Sequence, residues 1–118
     1  MKLTLTQYIN GVQNNSYEPE RVVKHYLKMA TNHDEYNAFV RIHEQYVQDN
    51  RESFAQKPLK SAPIAVKDIM LTKGYISSCG SKMLEKYVSP YSATCFKNLE
   101  KHGGLMIGKA NMDEFAMG

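Results

Sequence analysis

Ala62-Pro63-Ile64-Ala65-Val66-Lys67-Asp68 and Leu105-Met106-Ile107-Gly108-Lys109 decide the fold, because each is a short apolar run that ends on charge. Runs of this length bounded by Pro or Gly suit buried strands with charged tips better than helices. Between them, Gly74, Ser77, Ser78, Gly80 and Ser81 make a small-residue loop. A short helix is expected over Lys82–Tyr87, then a break at Pro90. A second helix is expected from a Ser92 cap, with Cys95, Phe96 and Leu99 on one apolar face and Gly103 at its end. Asn111 or Asp113 stands where a last helix would start. Strands alternating with helices predict an α/β architecture, a mixed sheet with some parallel pairing.

Outward from that half, residues 1–58 read as a helical, polar N-terminal region and residues 59–118 as the core proper. A short helix is expected over 5–13 after Thr4 or Thr6. Ser16 has the chemistry of the next N-cap, with Glu18 and Glu20 in a first turn where the dipole favours anions and Pro19 is tolerated. Val22, Val23, Tyr26, Leu27 and Ala30 recur at helical spacing and mark a buried stripe. Asn37–Ile42 alternates as a strand would, and His43–Gln56 returns to a polar helix ended by Pro58.

Of 118 residues, 42% are hydrophobic and 23% charged, enough for a core and against global disorder. A formal charge of +3, with Lys and Arg scattered among Glu and Asp, gives no argument for nucleic acid. No apolar run has the length of a signal peptide or membrane span. Two cysteines, Cys79 and Cys95, without framework spacing fit a reducing compartment. The expectation is a soluble cytoplasmic chain with no membrane association.

Gly103-Gly104-Leu105-Met106-Ile107-Gly108-Lys109 has the spacing of a Walker A loop. Ala110 stands where the magnesium-binding hydroxyl belongs, and Leu, Met and Ile are better used as a strand. His25, His33, His43 and His102 have no ligand spacing, and solvent exposure is the default in the polar half. Cys79 has no evident base and reads as a packed thiol; Cys95 reads as core. Lys67 stands apart. An amine at a buried strand tip is costly to keep charged, and a neutral amine can take a proton from a hydroxyl. The plainer alternative is a lysine that snorkels to solvent or pairs with Asp68.

Longer strings weigh on that choice. Ala62–Asp68, Thr72-Lys73-Gly74, Cys79–Glu85, Pro90–Thr94 and Ile107–Gly118 resemble, in the same order, the opening of the amidase-signature family. Asn111-Met112-Asp113-Glu114-Phe115-Ala116-Met117-Gly118 looks like the branch formed by the glutaminase (A) subunits of tRNA-dependent amidotransferases. The resemblance implies an incomplete amidase-signature fold and a Ser-Ser-Lys triad in which Lys67 acts as base through a bridging serine. Both triad serines would follow Gly118, and Ser77, Ser78 and Ser81 are not their counterparts. The 118 residues alone are therefore expected to be inactive.

By the same resemblance, glutamine is the substrate of the complete subunit, and ammonia passes to B and C partner subunits that amidate mischarged tRNA. No metal or cofactor is implied for this chain; ATP and magnesium would belong to the partner. Three positions depart from the family pattern: Ser61 replaces a common glycine, Ile69 an asparagine and Ser92 an aspartate. Competing expectations are another small-amide hydrolase of the family, and a non-catalytic module that self-associates through unpaired strand edges.

Overall fold

The computed structural model describes residues 2–118. Its sheet has three strands, β1 (Phe39–Ile42), β2 (Ala62–Lys67) and β3 (Gly104–Ala110), in the order β1-β3-β2. β3 runs parallel to β2 and antiparallel to β1, so the expected mixed α/β sheet is present. As the central strand, β3 is buried at every residue but its last. That explains its continuous apolar sequence, since neither face meets water. The Walker-like string is thus a strand interior, with no loop in which amides could cradle a phosphate.

Among the described residues four α-helices pack on the sheet: α1 (Leu5–Gln13), α2 (Pro19–Asn32), α3 (Glu44–Ala55) and α4 (Thr94–Lys101). Thr4 starts α1 through a capping box, its Oγ1 accepting from Gln7 N at 3.2 Å while Gln7 Oε1 accepts from Thr4 N at 2.9 Å. Ser16 does not cap α2. Its amide is engaged in the turn behind α1, donating to Gly11 O at 2.7 Å, and Glu18 occupies the cap position ahead of Pro19. Ser92 is likewise not a cap: α4 begins after Ala93, and Ser92 Oγ accepts from Lys73 N at 2.8 Å.

One cluster gathers Val23, Tyr46, Val47, Phe54, Val66, Phe96 and the Leu105–Ile107 run; a second joins Tyr8, Val22 and Ala62. Adjacent Val22 and Val23 thus serve different clusters, which is why α2 needs a wide apolar stripe. Tyr46 ties α3 to α4 by donating to Glu100 Oε2 at 2.8 Å. Cys95 is exposed rather than core; Phe96 fills that position.

Residues 68–93 make an excursion between β2 and α4. Lys82–Leu84 forms only a 3₁₀ turn, not a helix to Tyr87, because the chain turns back for an Ile76–Val88 antiparallel bridge. The last segment likewise holds a 3₁₀ turn, Glu114–Ala116, with Phe115 and Ala116 in the left-handed region. Left-handed backbone cannot continue a right-handed helix, so the 3₁₀ turn after Asp113 does not extend into an α-helix.

Candidate functional site

The tips of β2 and β3 meet one another and Arg41 of β1. In the antiparallel register Arg41 lies opposite Lys109, an arrangement of like charges that is unfavourable alone. Asp68, fully buried, resolves it. Its Oδ1 accepts from Arg41 Nη1 and Nη2 at 3.3 Å each and its Oδ2 from Arg41 Nη2 at 3.2 Å, while Lys109 Nζ lies 3.8 Å away. Ser78 contributes its amide at 3.3 Å and its hydroxyl at 2.5 Å, and Gly80 its amide at 3.0 Å. Arg41 also donates to Ser78 Oγ. A buried carboxylate is tolerable only when its lone pairs are filled and its charge opposed, and both conditions hold here.

Lys109 is 0% exposed. Its ammonium donates to Met70 O at 2.5 Å, Ser77 Oγ at 3.2 Å and Thr72 Oγ1 at 3.4 Å, all in the excursion that covers it. Burial pushes its pKa down from 10.5 to about 8, against the opposing pull of Asp68; Arg41 adds to the fall. A dry amine beside hydroxyls was the description expected of Lys67, and the structure gives it to Lys109 instead. Ser77 is itself 1% exposed and accepts from Thr72 N at 3.1 Å, so no substrate can reach this amine–hydroxyl pair.

Lys67 ends β2 as expected, but its side chain is exposed rather than buried. The cause is strand alternation: Val66 points into the core and Lys67 to the opposite face, which no described residue covers at that position. Ser77, Ser78 and Ser81 are all buried, each in a structural bond; Ser81 Oγ donates to Glu114 Oε1 at 2.6 Å. Cys79 is partly buried in the left-handed region, its amide donating to Asp68 O at 3.3 Å and its carbonyl accepting from Phe115 N at 3.0 Å.

His43 is half-buried, contrary to the exposed default. Burial, reinforced by Arg41 and Lys109 and opposed by Asp68, lowers its pKa from 6.5 to about 4. Its ring packs edge-on against Tyr75 with centroids 5.1 Å apart, and Nε2 has no hydrogen-bond partner among the described residues. Among the same residues no three His, Cys, Asp or Glu side chains are gathered as metal ligands, and no helix is long and apolar enough to cross a membrane. Sequence reasoning missed Arg41, Asp68, Ser78 and Lys109 as one unit. The legible signal was charge at both apolar strand tips; the pairing across 27 residues to Arg41 was not.

The Amidase family profile matches residues 21–118, and the chain belongs to that family. The A subunit of the Glutamyl-tRNA(Gln) amidotransferase of Saccharophagus degradans is 40% identical over 98% of this chain and 26% of its own length. The crystal structure of the Thermotoga maritima A subunit of the same amidotransferase superposes with a TM-score of 0.77 at 30% identity, over 99% of this chain and 24% of that one. An amidase family protein from Bacillus anthracis, at 22% identity and a TM-score of 0.83, covers 97% of this chain and 25% of its own and shares the fold. The chain spans about a quarter of the length of these relatives.

Proposed function

We propose that these residues carry the lysine base of a glutaminase subunit that supplies ammonia for amidation of mischarged Glu-tRNA(Gln) or Asp-tRNA(Asn). The observation that carries the reading is the 40% identity to an amidotransferase A subunit along 98% of the chain, with the β2 tip and the Asn111–Gly118 string both inside the 21–118 match to the Amidase family profile. In this reading B and C subunits take up the ammonia, ATP and magnesium belong to the partner, and the assembly works in the cytoplasm. Lys67 is the base: an amine next to a serine relay can accept the nucleophile's proton once further protein covers that face and dries it. Lys109, sealed under the excursion, cannot take that role.

The test is a fusion in which this chain replaces the matched region of the Saccharophagus degradans relative, assayed for ammonia release from glutamine. The 118 residues alone should release none, and the fusion should release ammonia that falls by about three orders of magnitude or more on Lys67→Ala, as loss of a triad member does. Release that survives Lys67→Ala would overturn the reading. Release from simple amides but not glutamine would instead favour the small-amide hydrolase.

A self-associating module is favoured by one observation: the outer edge of β2 is unpaired among the described residues and Ile69, just past its tip, is 43% exposed. Light scattering over a wide concentration range tests it, and a constant monomer mass removes it.

A further inference from the structure

Asp68 sits one residue beyond Lys67, and its side chain is bonded at once to β1 and to the Ser77–Ser81 loop while lying close to β3. Its backbone is committed as well: its amide donates to Ala110 O at 3.0 Å and its carbonyl accepts from Cys79 N at 3.3 Å. From the loop two further bonds reach the chain beyond β3, Phe115 N to Cys79 O at 3.0 Å and Ser81 Oγ to Glu114 Oε1 at 2.6 Å. The loop is shaped for this double duty. Cys79 and Gly80 have φ of +51° and +66°, which turns the Ser78 and Gly80 amides onto the carboxylate. A Cβ on Gly80 would lie 2.6 Å from Met112 O, so the loop backbone presses directly on the segment after β3.

We propose that Asp68 is a positioning residue, whose carboxylate fixes the Ser77–Ser81 loop and, through it, holds the 111–118 segment in register with the strand tip that carries Lys67. The proposal rests on the reading of Lys67 as the base. The bonds of Glu114 and Phe115 go to Ser81 and Cys79 rather than to Asp68, so the carboxylate acts on them through the loop. Arg41 and Lys109 supply the charge that makes a buried anion tolerable at that point. Ser78 is its shortest partner, at 2.5 Å.

Two measurements test this. In the 118-residue chain, hydrogen exchange is followed amide by amide in the wild type, Asp68→Asn and Ser78→Ala. A residue that merely adds stability lowers global protection, so all globally exchanging amides fall together. A positioning residue lowers protection at Cys79 and Phe115 by about tenfold or more while the Leu105–Ile107 amides keep theirs within about twofold. Ser78→Ala removes one partner and leaves the buried charges paired, so it reads the effect even where Asp68→Asn unfolds the chain. A uniform loss in Ser78→Ala, or unchanged protection at Phe115, overturns the proposal.

In the fusion with the Saccharophagus degradans relative, Ser78→Ala should lower kcat by about tenfold and Asp68→Asn by about a hundredfold, with KM for glutamine unchanged, because misplacement of reacting groups is felt in the chemical step. An unchanged kcat in Ser78→Ala, with Lys67→Ala inactive, sinks the positioning role alone. Full activity in Lys67→Ala sinks the underlying reading instead, while the exchange pattern still reports on the loop.

Discussion

Ser61 has φ of +59° and follows Lys60 at +53°, two consecutive left-handed residues at the entry to β2. That conformation costs an L-residue about 1–2 kcal/mol and costs glycine nothing comparable, so the glycine that the family resemblance leads one to expect here would sit without strain. Serine recovers part of the cost: it is fully buried and its Oγ donates to Arg51 O at 2.5 Å, pinning the end of α3 to the start of β2. The two residues therefore solve the position differently. Ser61→Ala keeps the strained backbone and loses a bond to a carbonyl that α3's own ladder still engages, so urea melts should show a loss of about 0.5–1.5 kcal/mol. Ser61→Gly exchanges bond for relief of strain and should change stability by no more than about 1 kcal/mol. Equal losses in both variants would remove the backbone explanation. Ser92 departs more mildly, since an aspartate oxygen could accept the same Lys73 amide. Nothing in the structure explains Ile69, which is 43% exposed.

At the scale of elements, β1 and β3 touch closely at Gly108. A Cβ there would meet Arg41 O at 2.6 Å and Phe39 Cδ1 at 2.8 Å, and Arg41 is not free to retreat because its guanidinium is anchored to Asp68. Gly108→Ala should therefore push β1 outward and cost about 1–3 kcal/mol by overpacking, with Arg41 drawn off the carboxylate. A crystal structure or melt of the variant checks both parts; unchanged stability would mean β1 yields more freely than its bonds suggest. The same glycine shows what the sequence could carry. β2 and β3 were legible because their apolar runs are too short for helices and end at charge. α2 and α4 were legible from apolar spacing, α1 from its threonine cap and α3 as a polar stretch ended by Pro58, although Ser16 and Ser92 misled as caps because each hydroxyl or amide had a nearer partner. The site was half legible. Lys67 stands at its strand tip as expected, yet its dryness could not follow from Pro-Ile-Ala-Val, because which face of a strand tip is covered depends on chain packed from elsewhere. Lys109 was hidden by a look-alike phosphate loop, and its partners Arg41 and Asp68 lie far away in sequence. Local pattern reads periodicity; it does not read which charges meet.

For the molecule as a whole, the buried amine of Lys109 and the half-buried imidazole of His43 make stability depend on pH in a definite sense. Stability rises with pH wherever the unfolded chain binds more protons than the folded one. His43 falls from 6.5 to about 4 on folding, chiefly by burial, so between those values only the unfolded chain is protonated. Acidification through that window should remove up to about 3 kcal/mol, most of it gone by pH 4. Lys109 falls from 10.5 to about 8, so the same inequality operates between pH 8 and 10.5, and alkali should stabilise the fold there. By pH 9.5 the gain is about 2 kcal/mol at one pKa unit per 1.36 kcal/mol. Tyr8, raised from 10 to about 12 by burial, acts oppositely once the unfolded phenol ionises; Tyr46 and Tyr75 are raised too, the first by burial and its bond to Glu100. Their stabilisation is present below pH 10 and lost above it, so the gain from Lys109 should peak near pH 10 and then reverse. Urea midpoints measured every half unit from pH 4 to 10.5 test the profile. Lys109→Met should flatten the rise above pH 8 while leaving the acid limb, and His43→Gln should flatten the acid limb while leaving the rise. A rise that persists in Lys109→Met would mean that the amine is not the group released, and with it would go the view that the excursion over Lys109 closes on a charge it would rather lose.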